Sequence, residues 1–179
     1  ADVALDGSVS ADLAKKTALA EKLTVKLKAA LKDLNADADL SVRVSAEYDK
    51  PLVRAEGLSL ALKATGASLP GGKQAATFTG DAIYDGAKGT LKLATGELKA
   101  ADLGLEVMLG LDGSGLNTDA PRFMGPISIK NFNPRDLMKL LDIKVETHDP
   151  ETLKALALRL KFDASTNSAR ISDLNMKLD

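Results

Sequence analysis

Few residues in this chain have the type and spacing to do chemistry. One histidine, His148, stands beside Asp149 in a chain of 179 residues. A general base needs an orienting partner and a substrate proton within hydrogen-bond reach, and a metal site needs further ligands. No motif supplies them: there is no Gly-x-Ser-x-Gly elbow, no His-Glu-x-x-His and no Gly-x-x-x-x-Gly-Lys-Ser/Thr loop. His148 therefore reads as a loop residue at a helix start, and only a deep polar pocket around it would revive an enzymatic reading. Asp33, Asn35, Asp37 and Asp39 open like a calcium loop. The sixth position would be Ala38 and the twelfth Val44, which removes the sharp turn and the bidentate ligand. These four residues read instead as the wet face of a strand. Cysteine is absent, which removes disulfides, thiolate metal sites and cysteine nucleophiles. No catalytic residue, cofactor or metal is expected.

The elements that would carry any site are strands. Leu34, Ala36, Ala38, Leu40, Val42, Val44, Ala46 and Tyr48 alternate with Asn35, Asp37, Asp39, Ser41, Arg43, Ser45 and Glu47. Period-two spacing puts the two sets on opposite faces of a strand, as no helix would. Leu23, Val25, Leu27, Ala29 and Leu31 repeat the pattern, as do Leu58, Leu60, Leu62 and Ala64. Leu103, Leu105, Val107, Leu109 and Leu111 repeat it again, then Leu156, Leu158, Leu160 and Phe162. Strands are predicted over 2–14, 18–31, 36–48, 52–66, 74–84, 88–99, 101–111, 122–131, 156–164 and 168–178. Turn signals separate several of them: Asp49-Lys50-Pro51, Pro70-Gly71-Gly72, Asp85-Gly86, Asp112-Gly113-Ser114-Gly115 and the weaker Thr166-Asn167-Ser168. Such short connections favour antiparallel neighbours in a meander. Two short helices interrupt it, near 134–142 and 150–155. Asn133 suits an N-cap, Pro134 the first helical position and Asp136 the positive helix end. Asp149-Pro150 opens the second in the same way. Both are expected to plug one end of the sheet.

The predicted fold is mainly β, with a minor α contribution: a long, bent antiparallel meander with one apolar, concave face. Lys+Arg 24 against Asp+Glu 25 gives no reason to expect nucleic acid as a partner. Aromatics at 3% and the absence of Trp argue against a stacking platform. No apolar run approaches the roughly 20 residues of a membrane-spanning helix. An outer-membrane barrel is rejected, because the polar faces carry Lys, Asp and Glu and the aromatic girdles are missing. Both ends read as cut, so the chain is expected to be a fragment of something longer.

One stretch carries a family resemblance. It begins with Phe123-Met124-Gly125-Pro126-Ile127-Ser128-Ile129, then Asn131-Phe132-Asn133-Pro134-Arg135-Asp136-Leu137 and Leu140-Leu141. It continues through Asp149-Pro150-Glu151-Thr152-Leu153 and closes with Ile171-Ser172-Asp173-Leu174-Asn175-Met176-Lys177-Leu178-Asp179. This pattern resembles the C-terminal region of the AsmA family of bacterial envelope proteins, with Leu58-Ser59-Leu60 and Leu69-Pro70-Gly71-Gly72 matching its weaker hairpin pattern. The whole of 1–179 is then one AsmA-like domain: a β-meander over 1–121, and the signature strand, helices and hairpin over 122–179.

The resemblance implies a non-enzymatic periplasmic protein, tethered in its full length to the inner membrane by an N-terminal helix that this sequence lacks. It implies lipid transport and a part in outer-membrane assembly or homeostasis, with phospholipid or other acyl chains as partners. The groove would be lined by Leu23, Val25, Leu27, Leu40, Val42, Val44, Leu58, Leu60, Leu62, Leu103, Leu105, Val107 and Leu109. The same side chains could equally form a dry core in an assembly module that binds an outer-membrane or other envelope protein. What separates the two is whether the sheet's cross-section is filled or open.

Overall fold

The computed structural model describes residues 2–67, 69–141, 143 and 152–179. Among these residues ten strands follow one another in space in the order of the chain, every neighbouring pair antiparallel, in one open sheet. They are β1 (Asp2–Asp12), β2 (Thr17–Leu31), β3 (Leu34–Glu47), β4 (Leu52–Thr65), β5 (Lys73–Asp85), β6 (Thr90–Ala100), β7 (Leu105–Ser114), β8 (Arg122–Phe132), β9 (Leu156–Ser165) and β10 (Ala169–Leu178). The fifteen residues of β2 span about 50 Å at 3.3 Å per residue, far longer than an ordinary strand. The mainly-β meander expected from alternation is what the chain forms.

Register keeps one apolar face continuous. Leu27 faces Ala38, which faces Leu62, which faces Ala76. Further along, Leu40 faces Leu60, Phe78, Leu98, Val107, Ile129 and Leu158 follow in successive ladders. The opposite face is charged, with Lys28 across from Asp37 and Asp37 across from Lys63. Unlike charges directly opposite each other stabilise the pairing, and like charges would oppose it.

Each even-numbered strand carries one extra residue, and the odd strands carry none. The bulge in β2 lies between Ala20 and Leu23, opposite Arg43. That in β4 lies between Ala55 and Leu58, opposite Asp81, and that in β6 between Leu93 and Gly96, opposite both Asp81 and Gly110. β8 is bulged between Ile129 and Phe132 and β10 between Ser172 and Asn175. A one-residue slip would turn every later side chain to the wrong face. Here the sequence parity switches at each bulge, from Ala18 and Ala20 to Leu23 and Val25, so the apolar face survives it. Gly57, at φ +60, supplies the left-handed backbone of the β4 bulge, and its N–H donates to Asp81 Oδ1 at 2.7 Å.

Three expectations are corrected. Leu103 does not lie on a strand: Ala101–Leu103 is a 3₁₀ turn, closed by Gly104 at φ +59, and β7 begins at Leu105. Alternation runs unbroken across that turn in the sequence, and only the left-handed glycine breaks it. Asp112-Gly113 is not a turn either, because β7 continues to Ser114. Gly113 has no side chain because the Phe123 ring lies over it, about where a Cβ would sit 3.1 Å from Cε1. The second helix is the third case. Its residues 150 and 151, with His148 and Asp149, lie outside the described residues, and 152–155 are irregular rather than helical.

The first helix, α1 (Pro134–Leu140), forms as its capping residues dictate. Asn133 Oδ1 accepts from the N–H groups of Arg135 at 3.0 Å and Asp136 at 3.3 Å. Two orphan donors of the first turn are thereby satisfied. The helix touches the Ala101–Leu103 turn, and Arg135 Nε donates to the Thr152 carbonyl at 2.5 Å. It sits at one end of the sheet and not across a face.

Candidate functional site: an uncovered apolar sheet face

A strand with one apolar face must bury that face against something. Among the described residues no second layer does so: each strand packs on its ladder neighbours, with only α1 and two 3₁₀ turns beside them. Among the described residues the buried apolar side chains are Ala20, Val42, Leu93, Ala100 and Phe132, and no large side chain is fully enclosed. The apolar face is half-buried by its own side chains and otherwise open.

The predicted lining residues fall on that face. β2 contributes Leu23, Val25 and Leu27, β3 contributes Leu40, Val42 and Val44, and β4 contributes Leu58, Leu60 and Leu62. β7 contributes Leu105, Val107 and Leu109. The structure brings Leu103 to the face as well, from its turn, beside Ala100 at the end of β6. Sequence reasoning missed the middle of the face. β5 places Phe78 and Ala76 there, and β6 places Leu93 and Leu98. Their alternation is diluted by Gly80 and Gly96, which reads as weak patterning until Phe78 is seen to cover Gly96.

At the end near Leu103 the face forms a recess of about 380 Å³. Leu27, Ala38, Leu62, Ala76 and Ala100 line it from five successive strands, and Leu103 completes it. One recess shared by five strands makes the face concave there. Its floor is mostly alanine, which leaves room above it. Leu27 and Leu62 at the rim are 40% and 44% exposed. A wall of methyl and isobutyl groups can bury an apolar chain by removing area from water, at about 25 cal/mol per Å².

The other face is a lattice of exposed ion pairs. Arg43 bridges the two neighbouring bulged strands, to Glu21 at 3.2 Å and Glu56 at 3.4 Å. Arg54 donates to Glu47 at 2.8 Å, and that hydrogen bond holds the Glu47 carboxyl below its ordinary pKa. Asp163 is likewise lowered by its hydrogen bonds from Arg122 on β8. Lys161 pairs with Asp173 at 2.7 Å across the β10 bulge, and the Asp173 hydrogen bond raises the lysine's pKa. Solvent screens such pairs, so their role is to pin register and keep this face wet. Among the described residues no group of three or more His, Asp or Glu side chains could hold a metal ion. No described helix is long and apolar enough to cross a membrane, which leaves membrane-spanning strands unaddressed. The chain matches no protein-family model, no curated protein and no solved structure.

Proposed function

We propose that this chain is an AsmA-like envelope domain that holds lipid acyl chains against its apolar sheet face. It acts without catalysis, in the periplasm, as part of a longer protein tethered to the inner membrane and serving lipid transport and outer-membrane assembly or homeostasis. The observation that carries this reading is the open, concave apolar face, with no second layer over it among the described residues. The family resemblance of residues 122–179 supplies the biological setting. Binding is by area and not by any one residue, so single substitutions weaken it only gradually.

Recovery of the protein from cells, followed by native mass spectrometry, tests this. Bound phospholipid is expected on the natural sequence. Leu27→Glu with Leu62→Glu, at two rim positions already exposed to water, should remove the lipid while leaving the β-sheet circular dichroism signal intact. Lipid-free natural protein, or lipid retained in full by the double variant, would sink the groove reading. A second reading, an assembly module that pairs with another envelope protein, is favoured by one observation: β1 and β10 each lack a partner strand on one side among the described residues.

A further inference from the structure

The two edges of the sheet match each other. A long, flat, apolar edge strand is a template for pairing, which proteins ordinarily blunt with lysine, proline or a short strand. β1 has eleven residues with no lysine and no proline. Its Val3 and Leu5 are 67% and 70% exposed, and on β10 Ile171 and Met176 are 64% and 61% exposed. We infer that the β10 edge of one molecule pairs antiparallel with the β1 edge of a second copy of this chain, extending the sheet head to tail.

Three independent features select that partner and one register. The first is hydrogen-bond phase. In an antiparallel sheet each residue turns both backbone groups toward one neighbour, so the bonding set changes face from ladder to ladder. Nine ladders separate β1 from β10, so the sets that point outward at the two edges fall on the same face. Apolar face then continues into apolar face, as an odd number of strands would not allow.

The second feature is the bulges. Inside the sheet a bulged even strand always meets unbulged odd ones, and Ser8 of β1 already sits opposite the β2 bulge, between Gly7 and Val9. Placing the β10 bulge opposite Gly7, one residue from Ser8, repeats what β3 meets, where the β2 bulge lies opposite Arg43 and the β4 bulge opposite the adjacent Val42. This sets Met176 against Leu5 and Ile171 against Val9. The third feature is charge. The polar face of β1 carries Asp2, Asp6 and Asp12 and no cation. That of β10 carries Arg170 and Lys177, while its Asp173 is already paired with Lys161. In the selected register Lys177 lies diagonally between Asp2 and Asp6, within reach of a long side chain.

The interface is heterologous, so it propagates instead of stopping at two copies. Sedimentation of the natural chain over a range of concentrations should show an average mass that keeps rising past the dimer. Lys177→Glu should lower the association at least tenfold at moderate salt, and Asp2→Lys with Asp6→Lys in the other partner should restore it. Because the chain has no cysteine, Leu5→Cys and Met176→Cys proteins can be mixed and oxidised. The mixed disulfide should form readily, and a Leu5→Cys with Ala169→Cys mixture should not. A monomer at every concentration would overturn the proposal. So would a saturating dimer, or cross-linking that ignores register. None of these outcomes bears on whether lipid occupies the apolar face.

Discussion

Small residues do opposite work in two regions of the same apolar face. Around β3, β4 and β5, Ala38, Ala64 and Ala76 stand beside other small groups and leave a recess. Between β5 and β8 the still smaller Gly96 and Gly113 leave none. A Cβ on Gly96 would lie 2.9 Å from Leu93 Cδ2 and 3.1 Å from the Phe78 ring. Gly110 and Pro126 meet in the same fashion on the other face. Space on a sheet is decided by the neighbour across the ladder, and residue size alone does not report it. The glycine region is interlocked and the alanine region is receptive.

The sharpest way to break this contrast is Gly125→Ala. Its Cβ would run into the Gly110 carbonyl oxygen, so β7 and β8 must separate. Overpacking of this kind should cost about 3 kcal/mol, read by urea denaturation. An unchanged midpoint would show that the two strands are not in close approach. Ala76→Leu, in the receptive region, adds a much larger side chain yet should move stability by no more than about 1 kcal/mol. The same substitution should reduce co-purified lipid, because it fills the recess. A large loss of stability there would mean that the space is already occupied by protein.

The smallest effect should come from acid, since the ion-pair face runs beneath both regions. Hydrogen bonds from Arg54, Lys88 and Arg122 hold Glu47, Asp85 and Asp163 below their ordinary pKa values. A carboxylate lowered in the folded state contributes stability that is complete above its unfolded pKa, about 4. That contribution is lost as pH falls through the lower folded value. Urea midpoints should therefore fall modestly below pH 4, and Asp163→Asn should flatten part of that dependence. A midpoint insensitive to acid would show that these pairs do not distinguish folded from unfolded chain.

Much of the architecture was legible in the residues. The alternation from Leu34 to Tyr48 identified β3 and its two faces, and Asn133-Pro134 identified the start of α1. Leu103 was misplaced because its spacing from Leu105 is that of a strand, and the signal that ends the strand is a single backbone angle at Gly104. Gly113 was misread because the ring that explains it, Phe123, lies ten residues away in the chain. The bulges did leave a trace. Parity changes between Ala20 and Leu23 and between Ala55 and Leu58, but a parity change also looks like the end of a strand.

From its own residues this chain is committed to long antiparallel strands with an apolar and a charged side, because period-two alternation and short turns are local and repeat all along it. The tertiary structure alone decided that Phe78 closes Gly96 while Ala38 and Ala76 stay open to each other. Among the described residues it also decided that ten strands end in two edges without a partner strand and that no second layer covers the apolar face. Those outcomes depend on which side chains meet across ladders, and that is set by register and bulges between segments far apart in sequence.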